Sequence, residues 1–238
     1  QIINKKVGRC SWHRKKKRTV NKIKSGEILN SRYECKRISA AISVDGDPDK
    51  PAWKEAKAVS LVDTVTGQAP RQGTCCKLLW DDSFLYAAFT CRDDFIHGVR
   101  TEYNDEIFNE EVVEIFLDDD CDLTTYIELE VSPLNTLLHY SIHNRKGHRA
   151  AFARVEKTVV SAVQVRRENK VWTVEMAIPF SEFLTAPHIP PMPGDKWRMN
   201  LYRIDRPEDG RDEYSAWQPT GKVDYHMPEK FGELVFSI

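Results

Sequence analysis

The stretch NEEVVEIFLDDDCD, residues 109–122, has an apolar run interrupted by Glu114 and then ends in a run of aspartates. In an extended strand, successive side chains point to opposite faces of the sheet, so Val113, Ile115 and Leu117 share one face. Glu114 then falls on the opposite face. The stretch therefore predicts a β-strand that buries one face in a core and presents a carboxylate on the other.

A second stretch, YIELEVSPLN at residues 126–135, repeats this alternation. Ile127 and Leu129 point one way, while Glu128 and Glu130 point the other. If the two strands are neighbours, their carboxylates lie on one shared face of the sheet.

Short strands separated by turns predict the rest of the fold. The clearest signal is a hairpin with strands at 77–80 and 84–91 around the turn Asp81-Asp82-Ser83. Further predicted elements are strands at 42–44 and within 170–180 and 197–205, a helical turn at Trp53, and a short helix at 178–184 with Ser181 as its cap. Because few segments have a helical period, the sequence predicts an all-β fold. We expect an antiparallel β-sandwich, jelly-roll or immunoglobulin-like, with few short helices.

The charge is unevenly distributed along the 238 residues, although the net charge is only −1. Residues 1–37 hold 13 Lys and Arg against two Glu. The cluster RKKKR at 14–18 has no accompanying aromatic or glycine pattern to stack bases, which argues against nucleic-acid binding and favours a solvated tail. We predict a basic N-terminal extension at 1–37 and one sandwich domain at 38–238. No stretch has the ~18–20 consecutive apolar residues of a membrane span.

The six cysteines lack the C-x2-C spacing of a zinc site. Cys91 and Cys121 are predicted to be buried free thiols on strands. Cys10 and Cys35 are a candidate disulfide pair if the protein is exported, and the sequence leaves the redox compartment open. Since the chain begins with Gln1, we expect a mature or trimmed product.

Three aspartates that follow the predicted strand around Glu114 are candidates for a calcium site. Asp118, Asp120 and Asp122 occupy positions 1, 3 and 5 of an EF-hand loop, but the positions that need glycine and glutamate hold leucines. A looser calcium site and a turn that uses Asp for its own backbone hydrogen bonds both remain open. The same alternatives apply to the aspartates within 45–49.

Catalytic motifs are scarce. The sequence has no G-x-S-x-G, H-E-x-x-H, G-x-G-x-x-G or P-loop pattern. Glu114 with Glu128 or Glu130 could form the acid and base of a glycosidase, but alternation does not fix their separation. His139 and His143 share a strand face, and without a third ligand we expect both at the surface.

Eight segments from about Ile42 to the C-terminus, in this order, resemble the family 9 carbohydrate-binding modules and their stand-alone relatives. They are VDGDPDKPAW, KLLWDDSFLYAAF, EEVVEIFLDDD, YIELEVSPLN, WTVEMAIPF, WRMNLYRID, SAWQPT and HMPEKFGELVF. Relatives in the wider sugar- and haem-binding sandwich superfamily share part of this pattern. The resemblance implies a β-sandwich that clamps the end of a glycan between two aromatic rings, with structural calcium in some members.

Positions matched to that family give the candidate ligand-binding residues: Phe108, Glu114, Glu130, Tyr202, Arg203 and Tyr225. The resemblance assigns Phe108 and Tyr225 to the aromatic clamp and Glu114 to hydroxyl binding. Tyr202 stands where the family has a glutamine, and Glu130 stands where it has an arginine. Arg203 is a candidate replacement for that lost cation, although alternation places it on the face opposite Tyr202.

Other tryptophans are assigned to the framework, because aromatic residues at alternating strand positions usually belong to the core. These are Trp53, Trp80, Trp172, Trp197 and Trp217.

The resemblance implies non-catalytic binding of a mono- or oligosaccharide, with xylan- or cellulose-derived ends as candidates, in a polysaccharide-degrading system that is extracellular or periplasmic. The cofactor it implies is at most a structural calcium. Two alternatives stay open: a glycoside hydrolase that uses the paired carboxylates, and a haem-binding sandwich domain with Met and His ligands. The oligomeric state is left open.

Overall fold

A computed structural model describes residues 31–145 and 148–238, and in these ranges 14 strands form one curled sheet. The strands are β1 Arg32–Arg37, β2 Val59–Ser60, β3 Val62–Asp63, β4 Thr74–Trp80, β5 Phe84–Arg92, β6 Val112–Asp118, β7 Thr125–Val131, β8 Leu137–Arg145, β9 His148–Ala153, β10 Val160–Arg166, β11 Val171–Pro179, β12 Lys196–Asp205, β13 Glu213–Ala216 and β14 Gly232–Ser237. The helices are short 3-10 segments at Pro51–Lys54, Ile107–Asn109, Arg167–Asn169, Phe180–Glu182 and Pro228–Lys230. No helix in the described ranges is long and apolar enough to cross a membrane.

The strand order is β10-β11-β5-β4-β1-β14-β12-β6-β7-β8-β9. Strand β1 runs parallel to both of its neighbours, β14 and β4, and the other pairs among the described residues are antiparallel. Strand β1 thus joins two antiparallel halves, and it lies inside the predicted basic extension. The boundary at residue 38 stays a prediction, and the RKKKR cluster and Cys10 lie outside the described residues.

One core fills the space between the two halves, which shows the predicted sandwich. Leu78 of β4 and Val174 of β11 belong to the same buried cluster as Ile115 of β6 and Leu129 of β7. The face of β6 that carries Val113, Ile115 and Leu117 is therefore the core face, as the alternation predicts. The framework tryptophans are buried: Trp80, Trp172, Trp197 and Trp217 in this core and Trp53 in a smaller cluster.

The predicted strand at 42–44 is wrong: these residues lie outside the sheet, and the segment directly after them covers a buried glutamate. The backbone N–H groups of Asp45 and Gly46 both donate to Glu175 Oε2 at 2.9 Å. Lys50 Nζ donates to the same oxygen at 2.6 Å, and Trp53 Nε1 donates to Oε1 at 2.6 Å. The VDGDPDKPAW segment is thus fastened onto the outer face of β11.

Two further local predictions, the helix cap at Ser181 and the exposure of His139, are wrong. The short helix near 180 is present, but Pro179 occupies its N-cap position and Ser181 makes no capping bond. His139 is fully buried, not at the surface, because the segment that ends in Glu182 covers that part of β8, and His139 Nε2 lies 3.7 Å from Glu182 Oε2. Burial lowers the pKa of His139 to about 4.

The cysteines differ from expectation in two places. Cys35 is a free thiol buried in the core, so it is not the bridge partner of Cys10, and Cys75 is disulfide-bonded. Cys91 is a buried free thiol as predicted. Cys121 is free but only half-buried, because it lies in the turn after β6 with a φ of 61°, not on a strand.

Candidate functional site

The second face of β6 and β7 is also buried, which the alternation does not predict. Val112 and Phe116 of β6 join Tyr126 of β7 in a second apolar cluster, which includes Tyr225 and Phe231 from the C-terminal segment. Beside this cluster lies a cavity of about 380 Å³, whose aromatic lining is Phe108, Tyr140, Tyr214 and Tyr225. This volume lies in the range of small-molecule sites in proteins.

Three carboxylates form the polar part of the cavity wall. Glu114 of β6 lies directly opposite Glu130 of β7 in the antiparallel register, and Glu128 lies two residues away on the same face. One oxygen from each of the three carboxylates lies within 4.8 Å of the others. The sequence prediction that the two strands share a carboxylate face is confirmed.

Burial changes the acidity of these groups. Glu114, Glu128 and Glu130 are 2%, 6% and 1% exposed. Loss of hydration raises the pKa of Glu128 to about 7. The pKa values of Glu114 and Glu130 rise well above the ordinary range, first through burial and then through the neighbouring carboxylates. At neutral pH the three groups therefore share protons.

Tyr225 lines the cavity and rests on Tyr202. The two rings are stacked, with centroids 4.0 Å apart and planes 11° from parallel. Tyr202 Oη donates to the Tyr225 carbonyl oxygen at 2.9 Å, and Tyr225 Oη donates to the Arg203 carbonyl oxygen at 2.9 Å. Tyr202 is fully buried and sits behind the wall, so it positions Tyr225 and does not itself line the cavity.

Phe108 lines the same cavity from the 3-10 helix Ile107–Asn109. Its ring is half-buried and packs against the second apolar cluster. Arg206 Nη2 donates to the Phe108 carbonyl oxygen at 3.1 Å and so ties this helix to the end of β12. The two aromatic residues of the predicted clamp thus belong to one cavity although they are far apart in sequence.

Arg203 lies on the opposite face of β12, as strict alternation requires. Its guanidinium group is 1% exposed and pairs with Asp93 at 3.0 Å and Asp205 at 3.2 Å. Glu111 is a third partner at 3.4 Å. Arg203 therefore belongs to a separate buried ion cluster and does not replace a cation at the cavity.

Of the six candidate residues, the structure brings four together in the cavity wall, namely Phe108, Glu114, Glu130 and Tyr225. Arg149 and His226 also line it, and sequence reasoning missed both. His226 follows Tyr225 directly, and this adjacency was a usable signal. Its Nδ1 lies 2.8 Å from Tyr126 Oη, and burial lowers the pKa of His226 to about 4, so the ring is neutral.

Arg149 is exposed on the edge strand β9, at the rim of the cavity. Burial raises the pKa of Glu128, and the positive charge of Arg149 partly offsets this rise. The sequence around it, HRAAFA, has neither the apolar alternation nor a motif that would have marked this position.

A second candidate site lies at the turn after β6, where Asp118, Asp120 and Asp122 bring oxygens within 4.8 Å of one another. Asp118 is fully buried, and its Oδ1 has no hydrogen-bond partner among the described residues. Burial raises the pKa of Asp118 to about 7. An oxygen-preferring cation such as Ca²⁺ would satisfy this buried atom, so the residues fit the predicted metal. Asp122 also accepts backbone hydrogen bonds from Thr124 and Thr125, as the turn interpretation requires.

Comparisons with known proteins agree with the sandwich fold. Residues 44–237 match the family described as carbohydrate family 9 binding domain-like. The chain is 25% identical over 213 residues to a protein named "Extracellular protein" from Arthroderma benhamiae (strain ATCC MYA-4681 / CBS 112371), with 84% of this chain and 94% of that protein covered.

Solved structures share the fold at 17% sequence identity. A proposed carbohydrate-binding protein from Bacteroides uniformis ATCC 8492 has a TM-score of 0.71, with 87% of this chain and 100% of that chain covered. A family 9 carbohydrate-binding module from Caldicellulosiruptor kristjanssonii in complex with cellotriose has a TM-score of 0.60, with 87% and 94% covered. A family 9 module from the same organism with glucose has a TM-score of 0.58, with 87% and 96% covered. Because the family match extends over most of the sequence, the chain belongs to the carbohydrate family 9 binding domain-like family.

Proposed function

We propose that this chain is a non-catalytic module that binds the end of a mono- or oligosaccharide in the cavity between Phe108 and Tyr225. The observation that carries the proposal is the combination of aromatic walls and buried carboxylates in one cavity. A pyranose ring has apolar C–H faces that lose water favourably against flat rings. Its hydroxyl groups donate hydrogen bonds, and carboxylates accept them.

The placement of the carboxylates favours binding over hydrolysis. A glycosidase places its acid and its base or nucleophile on either side of the scissile bond. Here Glu114 and Glu130 face each other across one strand pair of a single sheet surface, so both approach a bound ring from the same side. Hydrolase activity is therefore the second candidate, and it predicts that Glu114→Gln abolishes turnover while substrate binding remains.

We further propose a glucan- or xylan-derived end as the ligand and an extracellular location in a polysaccharide-degrading system. The ligand is supported by the family 9 modules that hold cellotriose and glucose. The location is supported by the relative that is named an extracellular protein. We expect Kd values of ~μM to mM, because each hydroxyl must lose water before it bonds to the protein.

Calorimetric titration with glucose, cellobiose, cellotriose and xylobiose tests the proposal. Phe108→Ala should weaken binding severalfold, up to about tenfold, because stacking on one aromatic face contributes about 0.5–1.5 kcal/mol. Phe152→Ala is the matched control. Phe152 is 55% exposed on β9, and alternation places it on the face opposite its neighbour Ala151, which lines the cavity. The proposal fails if folded protein binds none of these sugars, or if both variants weaken binding equally.

A further inference from the structure

The polar wall of the cavity is unusual because its buried groups are all acidic. Glu114, Glu128 and Glu130 are each at most 6% exposed. The one cationic side chain that lines the cavity in the described ranges is Arg149, which is exposed at the rim. The described lining therefore has no buried cation to neutralise these carboxyl groups when they ionise.

Two oxygens of this wall lack partners. Glu114 Oε1 and Glu130 Oε2 are shielded from solvent, and neither has a hydrogen-bond partner among the described residues. A buried acceptor without a donor costs about 1–3 kcal/mol, and more if it carries a charge. A group that enters the cavity and donates hydrogen bonds would satisfy these oxygens.

A neutral hydroxyl group supplies one proton and no charge, whereas a protonated amine supplies three donors and a full positive charge. Hydrogen bonds between charged partners are roughly twice as strong as bonds between neutral partners. We infer that the cavity prefers a sugar whose ring carries a protonated amine, that is, an amino sugar such as glucosamine at the end of a deacetylated chain. The inference rests on the proposed function and specifies the class of its ligand.

The other charged groups around the carboxylates fit this preference. The His226 ring is uncharged, and its Nδ1 is occupied by Tyr126 Oη. Asp224, a further acid that lines the cavity, is paired with Lys222 at 3.0 Å and adds no unpaired charge. The positive charge of Arg149 acts on Glu128, whose pKa it lowers. Glu114 and Glu130 are therefore the pair that receives the amine.

The test compares glucosamine, glucose and N-acetylglucosamine by calorimetry at pH 6.5. The three sugars differ at one ring position, which carries an ammonium, a hydroxyl or an amide group. We expect glucosamine to bind about tenfold more tightly than glucose, since a charged hydrogen bond exceeds a neutral one by roughly one factor of ten in affinity. N-acetylglucosamine should bind no better than glucose, because its amide is neutral.

Two substitutions locate the effect. Glu130→Gln keeps the shape of the side chain and removes its ability to ionise, so the advantage of glucosamine over glucose should fall to within about threefold. Glu106→Gln is the matched control: Glu106 is exposed, two residues from Phe108 and outside the cavity lining, and the preference should remain. Thermal unfolding of both variants checks that they are folded.

The outcomes separate this inference from the function on which it rests. If glucose and glucosamine bind equally to the wild type, the amine preference is overturned and sugar binding stands. If glucose binding requires Ca²⁺ and Glu130→Gln abolishes it, the trio holds a metal ion and the inference is again overturned. If no sugar binds, the proposed function fails together with the inference.

Discussion

Glu128→Gln should remove a loss of stability that the wild type suffers as the pH rises. Burial raises the pKa of Glu128 from an ordinary value of 4.5 to about 7. The folded protein therefore binds the Glu128 proton more tightly than the unfolded chain does. Stability from this source is complete below pH about 4.5 and is lost as the pH rises to about 7.

The magnitude follows from the size of the shift. One pKa unit corresponds to 1.36 kcal/mol, so a shift of roughly two and a half units gives about 3 kcal/mol. The pKa values of Glu114 and Glu130 are also raised in the folded protein, and the negative charge of Glu128 contributes to both rises. The wild type should therefore lose at least about 3 kcal/mol more than the variant between pH 4.5 and pH 8.

Urea unfolding followed by tryptophan fluorescence at these two pH values measures the difference. In thermal scans the same free energy corresponds to roughly 6–12 °C for a domain of this size. Glu106→Gln, at an exposed carboxylate, should leave the pH dependence of the wild type unchanged. Parallel pH curves for the wild type and Glu128→Gln would show that Glu128 ionises normally, and hence that the carboxylate wall is hydrated.

Three further outcomes are expected. Glu175→Ala should lower the free energy of unfolding by about 3–5 kcal/mol in urea titrations, since it leaves the buried N–H groups of Gly46 and Trp53 without their acceptor, and a loss below 1 kcal/mol would contradict that account. Ca²⁺ at a hundredfold excess over its Kd should stabilise the wild type by about 2.7 kcal/mol but not Asp118→Asn, as measured by differential scanning calorimetry, and an equal response of both proteins would remove the metal from this turn. Tyr202→Phe should cost about 1 kcal/mol of stability and weaken sugar binding severalfold in calorimetry, because it removes the hydrogen bond that holds the Tyr225 backbone carbonyl in the cavity wall, whereas unchanged affinity would show that Tyr225 is held by other contacts.

The strands that bear the site could be predicted because their residues follow a period of two. The alternation around Glu114 and Glu130 predicts the core face, the shared carboxylate face and the position of Arg203 on the opposite side, and the structure confirms each. These properties depend only on the geometry of an extended chain, which local sequence determines.

Burial of the carboxylate face could not be predicted in the same way. It depends on Tyr225 and Phe231, which are distant in sequence from β6 and β7 and pack over them. Strand β1 was missed for a related reason: its sequence, RYECKR, looks like part of a basic tail, yet Tyr33 and Cys35 are buried in the core between two parallel neighbours. Local composition carries no information about which distant strand will supply the hydrogen bonds.

The acidic face itself is the strongest reason to regard the cavity as functional and not structural. Carboxyl groups directly opposite each other on antiparallel strands repel when they ionise, and Glu114 and Glu130 form such a pair while also losing their hydration. By contrast, the Asp93, Glu111 and Asp205 carboxylates of the other face surround the guanidinium group of Arg203, which neutralises them in part and makes that cluster a structural one. The described residues thus contain one acid cluster with an internal cation and one without. A fold retains the second kind at a cost to its own stability, and binding of a ligand that donates hydrogen bonds or positive charge gives a physical reason for that cost.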